Sequence, residues 1–361
     1  SSRLARENRW GNFWSLSGAW RVSSESFMKP LQNWLNDLKL RVSYGVNGTL
    51  PSSYYGYMGL SSLTSNYNDN PGITQSQLEN KELTWETNYN FNSGIDLGFF
   101  DNRLNVTFEY YVRTTKNLLY SRPLSLATGF SSYLANIGKL QNKGYELEIR
   151  STNIETKDFR WSTSLNLGHN ANKILKLDGD LKQVTSGTSI HKVGLPYSTY
   201  YMIEFAGIDP VDGEPMFYKN TTDENGNLNK ETTKDPRSAE KVILQCADPT
   251  ITGGLGNSIS YKWFDLNFNV NFSFGAWNYD GAAGKLEHGG DGTLNIPIYY
   301  RKRWQKEGDE TSIERFVVGR SISMTDYATT RRLYSGDYVR LKNLTFGFTL
   351  PKTWTRKVGI D

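Results

Sequence analysis

The longest run of alternating residues restricts this chain more than any other feature. From Trp85, the residues Trp85, Thr87, Tyr89, Phe91, Ser93, Ile95 and Leu97 alternate with Glu86, Asn88, Asn90, Asn92, Gly94 and Asp96. A strict two-residue period puts successive side chains on opposite faces of a β-strand, here one largely apolar and one strongly polar. The run is about twice the length of an ordinary globular strand, which averages roughly five or six residues. Leu104, Val106, Phe108, Tyr110 and Val112 repeat the design against Asn105, Thr107, Glu109, Tyr111 and Arg113. Phe264, Leu266, Phe268, Val270, Phe272 and Phe274 repeat it again against Asp265, Asn267, Asn269, Asn271 and Ser273. Shorter copies occupy Trp14 to Val22, Leu38 to Val46, Gly144 to Arg150, Phe159 to Asn170, Gly254 to Tyr261 and Tyr338 to Leu350; the last slips phase near Asn343, as a β-bulge would make it.

The connections between these nine strands are as informative as the strands. Short gaps at Ser23–Asn36, Phe99–Asn102, Ser151–Asp158 and Tyr261–Phe264 alternate with long ones at Asn47–Leu83, Lys116–Asn142, Lys173–Gly253 and Ala276–Asp337. In an up-and-down antiparallel sheet alternate connections lie at the same end, so one end carries turns and the other large loops. That asymmetry belongs to outer-membrane barrels, with short periplasmic turns and long extracellular loops. The fold class expected is therefore all-β, a transmembrane antiparallel up-and-down barrel. The first and ninth strands then both descend toward the periplasm.

A strand of about ten residues crossing a bilayer turns its apolar column to lipid and can keep a polar column on a wet lumen. Glu86, Asn88, Asn90, Glu109, Arg113, Glu146, Glu148, Arg150, Asn267 and Asn269 are expected to line the lumen. Trp14, Trp20, Trp85, Tyr110, Trp161 and Tyr261 are expected on the lipid face as an aromatic girdle.

Composition agrees. Only 37% of residues are hydrophobic, yet 14% are aromatic. Disordered chains are poor in aromatics, so this one folds. A net charge of +4 without a basic run gives no case for nucleic acid. The single cysteine, Cys246, excludes an internal disulfide and a cysteine-based zinc site. No stretch of about 18 apolar residues is present, which removes transmembrane helices and leaves barrels open. Ser1 to Trp10 is polar and basic and lacks the apolar region of a signal peptide.

The inventory of chemical groups points away from an enzyme and from any cofactor or bound metal. His169, His191 and His288 are far apart without ligand spacing, and no GxSxG or phosphate-binding loop occurs. Glu146 and Glu148 share one strand face, where Arg150 on the same column can balance them in a hydrated lumen. Asp223 to Leu228, DENGNL, places its glycine one residue too early for a calcium loop and reads as a solvated turn. Gly207 to Phe217 is rich in turn formers, and Pro297 to Gly308 fits a short helix on a loop. Ligand contact is a candidate role for loop aromatics: Tyr54, Tyr55 and Tyr57 with Tyr67, Asn68 and Asp69, and separately Tyr299, Tyr300 and Trp304. Flat apolar rings beside hydrogen-bonding groups suit sugars or peptides, and loop packing is the competing role.

Seven phrases in order resemble one family. They are RWGNFWSLSGAWRVSSESFM (Arg9 to Met28), LKLRVSYGVNGT (Leu38 to Thr49), LTWETNYNFNSGIDLGFFDNRLNVTFEYYVRTTKNLL (Leu83 to Leu119), NIGKLQNKGYELEI (Asn136 to Ile149), GIDPVDGEPMFY (Gly207 to Tyr218), DPTITGGLGNSISYKWFDLNF (Asp248 to Phe268) and YVRLKNLTFGFTLP (Tyr338 to Pro351). Together they resemble the SusC/RagA-type TonB-dependent transporters of Bacteroidota outer membranes. The resemblance implies a barrel of about 22 strands, of which residues 1–361 would be a C-terminal portion of nine to ten strands. The signal peptide, N-terminal extension, plug and last strands would lie outside it. It also implies import of glycans, oligosaccharides or oligopeptides with a SusD-like surface lipoprotein and with TonB, acting through segments not in this chain. The alternatives are a soluble secreted β-rich carbohydrate-binding module and a passive porin.

Overall fold

The nine strands expected from the alternation form a single antiparallel sheet whose strand order is the order of the chain. In the computed structural model, which describes residues 1–67, 70–177, 181–290, 295–319 and 327–359, they are β1 (Trp14–Arg21), β2 (Leu35–Thr49), β3 (Glu86–Phe99), β4 (Leu104–Lys116), β5 (Lys139–Glu155), β6 (Phe159–Lys176), β7 (Ile251–Tyr261), β8 (Phe264–Phe274) and β9 (Tyr338–Phe348). β5 and β6, at 17 and 18 residues, are far longer than soluble strands usually run. Among the described residues each inner strand pairs on both sides, while β1 and β9 pair on one side only. The sheet is thus an open portion of a barrel wall.

Register fixes which residues share a face. Glu109 on β4 lies opposite Glu146 on β5, which lies opposite Gly168 on β6; Gly256 on β7 lies opposite Asn269 on β8. The polar columns therefore join into one continuous polar face, and the apolar columns into the other. The phase slip near Asn343 is a bulge: Asn343 pairs with Asn269 and Leu341 with Val270, leaving Lys342 as the extra residue. A second irregularity, between Trp161 and Ser162, leaves Asn153 without a partner.

The connections alternate as expected. β3 and β4 are joined through Phe100, Asp101 and Asn102, all at positive φ, where Asp and Asn tolerate the left-handed conformation better than other side chains. β7 and β8 are joined by Lys262 and Trp263. The long connections carry structure of their own: hairpins of Leu60–Tyr67 with Asn70–Gln77 and of Leu119–Pro123 with Ser132–Asn136, and small sheets between β6 and β7. Pro297 to Gly308 contains a 3₁₀ turn, Ile298–Lys302.

The buried apolar residues lie mostly outside the middle of the wall. Val22, Met28 and Leu35 cluster beneath the β1–β2 connection, and Ile203 and Phe217 cluster within the β6–β7 connection. Outward apolar wall residues such as Leu344 and Phe346 stay more than half exposed. An apolar column that finds no protein to pack on is the signature of a surface meant for lipid. Among the described residues no helix is long and apolar enough to cross a membrane.

Candidate functional site

The polar face is a continuous field of charged and amide side chains. Arg41 on β2 forks onto Asp96 on β3, with Nε 2.8 Å from Oδ2 and Nη2 3.0 Å from Oδ1, and its Nη2 also donates to Glu109 at 2.7 Å. Thr107 adds a hydroxyl bond to Asp96 at 3.1 Å. Arg150 pairs with Glu148 at 2.5 Å, as its place on the same column suggested, whereas Glu146 faces Glu109 directly across the strands. Asn88 is almost fully buried: its Nδ2 donates to Thr49 and its Oδ1 accepts from Thr115 and Arg113. Asn90 donates to Asn47 at 2.6 Å. These two asparagines tie β2, β3 and β4 together.

Two grooves open on this face. One of about 510 Å³ is lined by Thr107, Glu109, Glu146, Glu148, Asn166 and Tyr338, and one of about 300 Å³ by Asn105, Arg150, Ser164, Asn267 and Asn269. Neither holds a nucleophile beside a base. Among the described residues no three His, Cys, Asp or Glu side chains are grouped to hold a metal ion.

On the apolar face, Trp20, Tyr261 and Phe264 stand near the short-turn end, each 43–50% exposed. Trp14, 55% exposed, stacks at a tilt on Tyr44 near the long-loop end, with ring centroids 5.7 Å apart. Tyr110 lies midway along β4 and is 40% exposed. Trp85 precedes β3, half-buried: Phe13 meets it edge-on at 5.3 Å and its indole donates to Asn8 O at 3.1 Å. Trp161 turns its indole along the wall to Asn257 Oδ1 at 2.9 Å.

The loop aromatics divide. Tyr54 and Tyr55 are about 60% exposed, with the Arg3 guanidinium 4.3 Å from the Tyr54 ring centre. Tyr57 is half-buried; Asn68 and Asp69 lie outside the described residues. Tyr300, expected as a ligand contact, is 1% exposed and donates its hydroxyl to Glu314 at 3.0 Å, so packing has taken it. Tyr299 keeps an exposed ring while its hydroxyl donates to Glu287 at 2.5 Å; burial and that carboxylate push its phenol up to about 12. Trp304 packs where a side chain on Gly213 would stand and donates to Pro210 O at 3.0 Å.

Beneath these tyrosines lies a buried ion network with no signal in the sequence. Glu314 is 0% and Arg332 2% exposed. Arg331 contacts Glu314, and Arg332 donates to Glu287 through Nε at 3.1 Å and to the Glu287 carbonyl at 3.2 Å. Burial alone would lower the Arg331 guanidinium, but Glu314 and the neighbouring groups outweigh it and hold it above its ordinary value. The Arg331 guanidinium also sits over Phe205 from the β6–β7 connection, and Thr330 accepts the Phe205 N–H at 2.9 Å. The two largest connections are thereby locked into one lobe.

Two further contacts shape that end. Lys234 Nζ lies 2.6 Å from Asp209 and 2.7 Å from Asp212, so the turn-rich Gly207–Phe217 segment is closed by an internal cation; the lysine hydrogen bonds lower both carboxyls. His191 Nδ1 meets the Tyr120 hydroxyl at 2.7 Å and the ring stacks on Tyr197 at 4.2 Å, joining the 119–136 hairpin to the β6–β7 connection. In Asp223–Leu228 the Asp223 carboxylate accepts the Asn225 and Asn227 N–H groups, a closed turn.

Comparison with known proteins agrees with this architecture. The family described as TonB dependent receptor-like, beta-barrel, matches residues 2–361. TonB-dependent receptor P3 of Formosa agariphila is 33% identical over 380 residues, covering 100% of this chain and 37% of that protein. TonB-dependent receptor SusC of Bacteroides thetaiotaomicron is 30% identical over 379 residues, covering 98% and 36%. Among solved structures, that of the RagAB peptide transporter superposes with a TM-score of 0.81 at 30% identity, covering 98% of this chain and 38% of that one. The chain therefore spans little more than a third of the length of the relatives it matches. The outer-membrane setting of these relatives replaces the soluble-module alternative. With a polar-faced nine-stranded wall, turns at one end and a structured lobe at the other, the chain belongs to the TonB-dependent receptor β-barrel family, in its SusC/RagA-like branch, as part of the wall of an outer-membrane barrel.

Proposed function

We propose that this wall belongs to an importer of polar oligomeric nutrients, oligosaccharides or oligopeptides, across the outer membrane. The polar face, with Glu86, Asn88, Asn90, Glu109, Arg113, Glu146, Glu148, Arg150, Asn267 and Asn269, lines a hydrated lumen. The apolar face, with Trp14, Trp20, Trp85, Tyr110, Trp161 and Tyr261, meets lipid. A SusD-like lipoprotein covers the long-loop end, where Tyr54, Tyr55 and Tyr299 present exposed rings to cargo. TonB delivers energy through parts of the full-length protein outside these residues.

The observation that carries the reading is the unbroken polar face running from Arg41 to Asn269 beneath a packed lobe. Amides, hydroxyls and paired charges offer many weak, replaceable hydrogen bonds, which suit passage of a polar solute without covalent chemistry. The test is uptake of fluorescently labelled oligosaccharides and oligopeptides by cells with and without the gene, and with TonB removed. Uptake of one class that needs both the gene and TonB is expected. Uptake that persists without TonB would make the protein a passive porin, and co-purification without any lipoprotein would remove the partner.

A further inference from the structure

We propose that the outward face of β4, β5 and β6, at their long-loop ends, is a binding site for a phosphomonoester-bearing lipid of the outer leaflet. The proposal rests on the reading that this face meets lipid. Above the apolar column, Lys116 on β4 lies opposite Lys139 on β5, and Lys139 lies opposite Lys176 on β6. Lys143 and Lys173 complete the patch on the same face, Lys143 opposite Val112 and Lys173 opposite Gln141. Like charges directly opposite one another on neighbouring strands repel, so three in one row are unfavourable unless an anion offsets them.

The wall itself supplies no such anion. On this face of β3 to β6, no Asp or Glu stands beyond Tyr145 toward the long loops. Among the described residues none of the five ammonium groups is ion-paired, and Lys116 has only the Tyr89 ring, its Nζ 4.4 Å from the ring centre. On the polar face, by contrast, Arg41 and Arg150 each hold a carboxylate. Lys116, Lys143, Lys173 and Lys176 are exposed.

The level of the patch selects a headgroup. Trp161 lies near the short-turn end of β6, and Lys173 is 12 residues further along the same strand. At about 3.3 Å per residue and a tilt of about 40°, that is roughly 30 Å along the membrane normal, about 5 Å beyond an apolar band about 25 Å tall. Lys143 lies one row nearer the bilayer, and Lys116, Lys139 and Lys176 one row farther out, so the patch spans the zone of the outer-leaflet headgroups. Beneath it Tyr110, Tyr145 and His169 share one row, with the Tyr145 and His169 rings 4.9 Å apart, and Leu147 and Leu167 continue below as a bed for acyl chains. Charge then selects the phosphate. A phosphomonoester carries about −1.5 to −2 at neutral pH and three acceptor oxygens, enough to meet several lysines at once, whereas a phosphodiester carries a single charge.

The full-length protein is placed in phosphatidylcholine nanodiscs containing phosphatidic acid, or phosphatidylglycerol at the fraction that matches its charge, and retained lipids are counted by native mass spectrometry. One phosphatidic acid is expected to be retained with roughly fivefold preference over phosphatidylglycerol, the size of one further charge set against the lysines. Lys116→Gln, Lys139→Gln and Lys176→Gln combined are expected to abolish the preference, and Lys116→Arg, Lys139→Arg and Lys176→Arg combined to keep it. Equal retention of the two lipids, or a preference that survives the triple Gln variant, overturns the site. Displacement by inorganic phosphate makes the occupant a free anion and overturns the lipid. The face itself is read separately: in a Cys246→Ser background, bimane on Leu147→Cys is expected to be quenched by brominated acyl chains. Absence of quenching removes both the face assignment and the site, whereas quenching without a lipid preference removes the site alone.

Discussion

The wall and the lobe of its long connections bury opposite kinds of residue. Along the wall, Phe108, Tyr110, Tyr145 and Phe346 remain exposed, while Asn88 and Thr115 are buried. In the lobe, Phe217, Met202 and Ile190 form ordinary apolar packing, and Glu314, Arg332 and Glu287 are enclosed with them. The lobe is organised as water-soluble domains are, around an interior that excludes solvent. The wall has no interior; its order comes from the hydrogen-bonded ladder and from the two media it separates. Mutations should therefore act by different rules in the two regions.

The strongest test is in the lobe. Arg332→Ala strands Glu287 without its main partner and should cost the lobe about 3–5 kcal/mol, the usual penalty for a broken buried pair. Hydrogen exchange should rise across 275–337 and leave β3 to β6 protected; an equal rise in the wall would show that the two regions are one cooperative unit. Next in size is a paired test across the sheet. Phe268→Arg puts a cation on the lipid face and should destabilise by about 2–4 kcal/mol near the bilayer midplane. Its neighbour Asn267→Arg should stay within about 0.5 kcal/mol. Urea unfolding in lipid vesicles measures both, and equal costs would break the assignment of faces.

A smaller effect is expected at Gly144, where an added Cβ would lie 2.0 Å from His169 O and 2.7 Å from the Tyr111 hydroxyl. Gly144→Ala should force β5 and β6 apart locally and cost about 1–3 kcal/mol, visible as a lowered temperature for the folded-to-unfolded gel shift. The smallest effect is on pH. Burial holds the His191 imidazole below its ordinary value. The unfolded segment then takes up its proton first, so stability rises with pH in the window below about 6.5. Acidification from neutral pH should loosen the hairpin at 119–136, and His191→Phe should remove that dependence, as exchange rates measured across pH would report.

The wall was legible because a two-residue period needs only local sequence. Even the slip at Asn343 showed, since a bulge shifts every residue after it. The lobe was not, because Glu287, Glu314 and Arg332 meet through folding of a long connection and no spacing announces them. Tyr300 shows the limit well: an aromatic beside another on a loop reads as a ligand surface until Glu314 is found under it. Asn257 shows the converse, a polar residue in the apolar column of β7 that periodicity passes over and that comes to notice only through the bond it accepts from the Trp161 indole.

Lys234 gives the turn at Asp209 and Asp212 a counter-ion that cannot diffuse away. Segments shaped by dissolved metal change form with the chemistry of their surroundings. This one has its two carboxylates offset by a covalently tethered ammonium, so its closed form calls for no dissolved cation.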